Sequence, residues 1–316
     1  VSSLRGLTRE GLVCRWEELV LGTVTGEAVI HITPPYGGLI VLILGWLFYY
    51  KLVPKVASRL GDSPKRIRLR DVVSQRQRTL FLVGLVLLAL MESWPSLELA
   101  RYVSSLAYLT HTMVIELVAV PLLLLGTPNW LFHKLTETPF ADALLELLTS
   151  PTFTTILYCA VLMLSMLPTI VQAQATSLVV YTYLQVVFVF AGALMWIPAL
   201  RLNPGTKKLS TGGRVFYLFA QSLIPSFPAV ILIFAHHSFY PIFASNIHLI
   251  FNISEVADQQ LAGGISKVID FGILWAVAIA IMNRAQKQED LGADPEPITW
   301  LDVQREFKRA RKDNGA

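Results

Sequence analysis

The chain has 316 residues, 54% of them hydrophobic and only 15% charged, with a mean hydropathy of +0.55. A soluble domain carries about 25% charged residues, so this composition excludes an ordinary soluble protein and points to a membrane protein. The two cysteines, Cys14 and Cys159, exclude a disulfide framework and a CxxC metal or redox motif.

The first three dozen residues are mostly polar. Within them LTREGLVCRWEELV places Leu12, Trp16, Leu19 and Val20 on one helical face. No cleavable signal is visible, and the first long apolar run, near Gly37, reads as a membrane-crossing helix. Seven segments approach the roughly 20 apolar residues that a crossing requires: 37–53, 78–94, 102–125, 152–172, 178–200, 214–236 and 261–283. The expected fold is therefore an all-α, polytopic bundle of seven transmembrane helices. It comprises an extracytoplasmic segment 1–36, a membrane domain 37–283 and a cytoplasmic basic tail 284–316.

Basic residues set the orientation. The first loop, PKVASRLGDSPKRIRLRDVVSQRQR, carries eight Lys/Arg, the loop RLNPGTKKLSTGGR four, and the tail after Ile281 seven. The alternate loops carry only Arg101. Positive charge stays in the cytoplasm, which places the N-terminus outside and the C-terminus inside a cytoplasmic membrane. Residues 126–151 agree weakly, with Lys134 against three acids. The net charge of +4 is thus a topology signal and gives no reason to expect nucleic-acid binding. In the tail, TWLDVQREFKRARK has a Thr299/Asp302 capping arrangement, an apolar side of Trp300, Val303 and Phe307, and a basic side. It suits an interfacial helix on an anionic leaflet, or docking on the protein's own loops.

Ionisable residues inside a membrane mark function and face the bundle interior. Span three has His111 and Glu116; span seven has Lys267 and Asp270. Lys267 and Asp270 are three apart and neighbour each other on one face, as an internal ion pair or as part of a proton or substrate path. His111 and Glu116 are five apart, roughly 140° around a helix, so each needs another partner. Their depths overlap those of span seven, which predicts a polar cluster joining Glu116 or His111 to Lys267 and Asp270. Pro121 should kink span three, and Pro225 and Pro228 span six.

His236 and His237 end span six and His248 follows. With Met166 and His111 they are the candidate metal ligands, because imidazole and thioether both suit copper; solvated loop histidines are the alternative. No Walker loop, GxGxxG, HExxH or GxSxG is present, so no enzymatic activity is expected. One intramembrane histidine also excludes paired axial imidazoles for haem.

The run LVAVPLLLLGTP resembles the third-helix signature of the CtaG family of cytochrome c oxidase assembly factors. RTLFLVGLVLLALMESWPSLELARYVSSLAYLTH resembles that family's second helix and outer turn. FVFAGALMWIPAL, with Trp196 and Pro198, resembles the end of its fifth helix, and ADQQLAGG the opening of its seventh. The resemblance covers roughly residues 37–285. It implies a multi-pass protein that supports assembly of a haem-copper oxidase, helping copper reach it, with Asp258 and Gln259 as a shared polar site. The family has histidines at positions that are Tyr108, Thr112, Met166, Tyr181 and Gln185 here, and His111 falls one residue off. Three readings follow. The first is an assembly factor with oxidase subunits as partners. The second is a metal-free accessory subunit held permanently in a respiratory or other membrane complex. The third is a small-molecule transporter, which would need inverted repeats or broken helices that the sequence does not show.

Overall fold

The computed structural model describes residues 36–60, 69–135, 139–202, 209–244, 246–247, 252–292 and 307. The N-terminal amphipathic segment, His248 and the tail helix around Trp300 and Val303 lie outside these residues; Phe307 is exposed. Every regular element among them is a helix. Five helices are long and apolar enough to cross a membrane: Tyr36–Ser58, Ser105–Gly126, Leu178–Leu200, Thr211–Ile233 and Glu255–Asp290. Two bent pairs, Gln75–Met91 with Ser96–Val103 and Pro151–Ser165 with Pro168–Thr176, make seven when each is one span. We number these spans one to seven in chain order.

Serines start most of them. Ser74, Ser104, Ser177, Ser210 and Ser254 cap spans two, three, five, six and seven, each side-chain oxygen accepting from a backbone N–H of the first turn. A helix leaves its first N–H groups without partners, and a serine hydroxyl supplies one where the chain turns back into the bilayer. At Ser74 the Gln77 side chain completes the box by accepting from the Ser74 N–H at 3.1 Å.

The breaks correct the sequence reading. Spans two and four bend by 57° and 71° near Pro95 and Pro168, whereas the kinks expected from sequence fall at other prolines. A proline lacks the N–H of an i to i−4 bond and biases its predecessor to extended backbone; Leu167 adopts φ −66°, ψ 134°. The two bends also mean that broken helices are present, contrary to expectation. Carbonyls at the span-four break find partners elsewhere: Tyr108 Oη donates to Ser165 O at 3.0 Å and Tyr240 Oη to Met166 O at 2.8 Å. Pro121 breaks nothing. Span three runs on through it, with a π-helical stretch at Val114–Ala119 just before. Span six is interrupted by a turn at Ile224 and Pro225, at one of the prolines where a kink is expected, and Thr211–Ile233 remains one span.

Span three is the hub. It packs against spans two, five and seven, while span six packs along span seven and span four along span five. Its core contacts include Ile115, Leu117 and Val120 against Met195, Trp196 and Leu274. Gly126 sits where a Cβ would come within 2.5 Å of the Phe81 backbone of span two, and Gly263 where one would come within 2.7 Å of Ala229 O in span six. Small residues let membrane helices approach this closely.

Candidate functional site

Three of the stretches singled out in the sequence meet on span three. Asp258, buried at the start of span seven, accepts from Ser104 Oγ at 2.6 Å, Ser105 N at 2.6 Å and Ser105 Oγ at 2.5 Å. A carboxylate at a helix N-terminus meets its free N–H groups and the positive end of the dipole. Asp258 therefore fastens the first turn of span three to span seven. Gln259 beside it accepts from Phe239 N at 2.8 Å, and Gln260 donates to Ala235 O at 3.0 Å, tying the same turn to the end of span six.

The second junction lies deeper. Val120 N bonds to Ile115 O, five residues back, so the helix has slipped to π spacing there. Continuing that spacing, Pro121 should donate to Glu116 O, and proline has no N–H to give. Trp196 Nε1 of span five donates to that carbonyl instead, at 2.9 Å. Pro121 and Trp196 belong to two separate sequence stretches, and this bond makes them one structural device.

The Glu116 side chain is fully buried. Tyr158 Oη of span four donates to Oε2 at 3.3 Å, and Oε1 has no partner among the described residues. Lys267 and Asp270 pair at 2.9 Å, and Lys267 Nζ also reaches Ser226 Oγ at 3.0 Å in span six. No hydrogen bond joins Glu116 to this pair among the described residues, although Asp270 lies near enough to act on Glu116 electrostatically. His111 stands apart from the predicted cluster, since its Nε2 lies 3.1 Å from Met91 O in span two. Beside the ion pair is a cavity of about 30 Å³, lined by Thr112, Ser165, Met166, Ser266, Lys267 and Asp270 among others.

A second polar group escapes a sequence reading because its charged members sit at the end of a predicted span and in the loop after it. Glu92 and Arg101 flank the bend of span two. Glu92 Oε2 accepts from Tyr181 Oη at 2.9 Å. Arg101 is buried, its guanidinium 4.8 Å from the centres of the Tyr102 and Tyr181 rings, and its Nη2 donates to Gln174 O and Ala175 O at the end of span four. The signal available is an arginine between two apolar runs with carboxylates three and nine residues before it.

The positions where the resemblance places histidines gather in this region. Tyr181 bonds Glu92; Tyr108 stands beside the Gln174 amide and bonds Ser165 O; Gln185 is buried one turn beyond Tyr181. Thr112 bonds its own helix at Tyr108 O, and Met166 packs with Tyr108 and Tyr240. His236 and His237 are exposed, and His237 meets the Phe239 ring edge-on. Cys159 is buried with a free thiol. Among the described residues no three His, Cys, Asp or Glu side chains gather as a metal group.

The helices and their buried polar junctions define a multi-pass membrane protein. Residues 63–288 match the family described as cytochrome c oxidase caa3 assembly factor, Caa3_CtaG. That is well over half of the chain, and the protein belongs to this family of cytochrome c oxidase assembly factors. No curated protein and no solved structure matches it.

Proposed function

We propose that this protein is a non-catalytic, membrane-embedded factor that holds subunits of a haem-copper cytochrome c oxidase while they assemble in the cytoplasmic membrane. The observation that carries the reading is the family match over residues 63–288. Asp258, Trp196 and Pro121, all within the matched region, are the residues that lock span three to its neighbours.

Copper would be cargo here, and the donors support a holding role over copper transfer through the bundle. His111 is engaged with Met91, Met166 with an aromatic cluster, and Cys159 is buried. Soft metals are held by several converging imidazoles or sulfurs, and no group of three His, Cys, Asp or Glu side chains gathers among the described residues. The exposed pair His236 and His237 is the remaining surface candidate for copper, with His248 beyond the described residues.

Affinity purification of the tagged protein from cells making new oxidase tests the proposal. Capture of unfinished oxidase in substoichiometric amounts, with none in the mature enzyme, is the expected result. Equimolar retention in the mature complex would instead make the protein an accessory subunit. Copper above background, lost in His236→Ala/His237→Ala but kept in His111→Ala and Met166→Ala, would assign transfer to the surface pair.

A further inference from the structure

Between the bend of span two and the ion pair of span seven lies a run of buried polar atoms without protein partners among the described residues. They are His111 Nδ1, Gln174 Nε2 and Oε1, Gln185 Oε1 and Arg101 Nε, on side chains at least nine-tenths buried. Buried polar groups in folded proteins are almost always hydrogen-bonded, so five such atoms in one region require an occupant.

Their chemistry says which. Met91 O only accepts, so His111 Nε2 carries the proton and Nδ1 presents a lone pair. Gln185 Oε1 and Gln174 Oε1 are acceptors; Gln174 Nε2 and Arg101 Nε are donors. A metal cation would face a guanidinium and an amide N–H, and an anion would face the lone pairs. Water both donates and accepts, and it fits a mixed set. The cavity beside Lys267 and Asp270 is lined by that ion pair, by the hydroxyls of Thr112, Ser165 and Ser266, each donating to its own helix with lone pairs to spare, and by apolar side chains such as Leu109 and Leu162. At about 30 Å³ it exceeds the volume one water needs, and it offers the two to four polar partners a buried water uses. Tyr108 stands between the two places, beside the Gln174 amide and bonded to Ser165 O.

We infer that ordered water fills this seam, making a hydrated polar path from Arg101 at one end of the bundle to the Lys267–Asp270 pair inside it. Buried ionisable side chains mark hydrated pathways and proton relays in membrane proteins, and the occupant assigned here is the water. Arg101 closes the path at the bundle end by fastening the bent part of span two to Gln174 O and Ala175 O of span four. None of this depends on the oxidase reading.

Hydroxyl-radical footprinting of the full chain in lipid nanodiscs tests it, because radicals formed from water oxidise the side chains next to that water. Tyr49, Tyr108 and Tyr181 are equally suitable reporters, at 0%, 3% and 4% exposure, and only the last two lie on the seam. Tyr108 and Tyr181 are expected to oxidise several-fold faster than Tyr49 if water stands beside them. Equal rates for the three would overturn the inference. Gln174→Leu and Gln185→Leu remove the amides that hold the water and should bring both rates down towards that of Tyr49, whose own rate monitors the fold. Unchanged fast rates in both variants would also overturn the assignment.

Discussion

Spans one and three are both apolar enough to cross a membrane, yet 11% of the apolar stretch of span one is buried in the protein against 50% of that of span three. Span one leans on span two and presents Ile40, Ile43 and Leu44 outward. Span three carries Ser105, Thr112 and Glu116, all buried, and is bonded to spans five and seven. The difference teaches that apolar length decides whether a helix crosses, while polar content decides where in the bundle it stands. A polar group facing lipid has no partner, so the helices that carry such groups are driven inside, where neighbours supply one.

Mutations should reproduce this contrast, read as unfolding free energy of the purified protein in mixed micelles. The largest effect is expected for Lys267→Met, which strands buried Asp270 without its cation and should cost about 3–5 kcal/mol. Adding Asp270→Leu should restore most of that loss, since removing both charges leaves none uncompensated. Asp258→Ala comes next, with a loss of about 2–3 kcal/mol, because a charged acceptor of three hydrogen bonds disappears from the start of span three. Trp196→Phe keeps the ring and removes the bond to Glu116 O, at about 1 kcal/mol, within the range of hydrogen bonds between membrane helices. Ile43→Ala on span one should change stability by less than about 0.5 kcal/mol, because its side chain faces outward. A loss at Ile43 as large as at Trp196 would erase the contrast.

The spans were legible because an apolar run long enough to cross the bilayer must satisfy its backbone internally there, and a helix does so; Leu178–Leu200 coincides with its predicted limits. The pairing of Lys267 with Asp270 was readable from helical spacing, which is fixed by one element. Contacts between elements were not. The partner of Glu116 O is an indole 80 residues away, and that of Asp258 a serine pair about 150 residues away. His111 turned to Met91 because the bend of span two offers a carbonyl at its level, and no periodicity within span three encodes that. The bends are not legible because Pro95 falls just past the predicted span 78–94, where a proline reads as a loop residue, and Pro168 falls in the last turns of the apolar run 152–172, which is long enough to cross without a break. Arg101 reads as a loop charge and Glu92 sits at the very end of the predicted span 78–94, where a charge reaches water, yet the structure buries both.

If this protein acts as proposed, a cytochrome c oxidase depends on it for assembly. The most direct measurement is the amount of mature oxidase in membranes of cells lacking the protein, by native gel and haem absorbance, with oxidase transcripts followed in parallel. Loss of the mature complex at unchanged transcript levels is expected, restored by the wild-type chain but only partly by Asp258→Ala. Normal amounts of active oxidase in the deletion strain would contradict it.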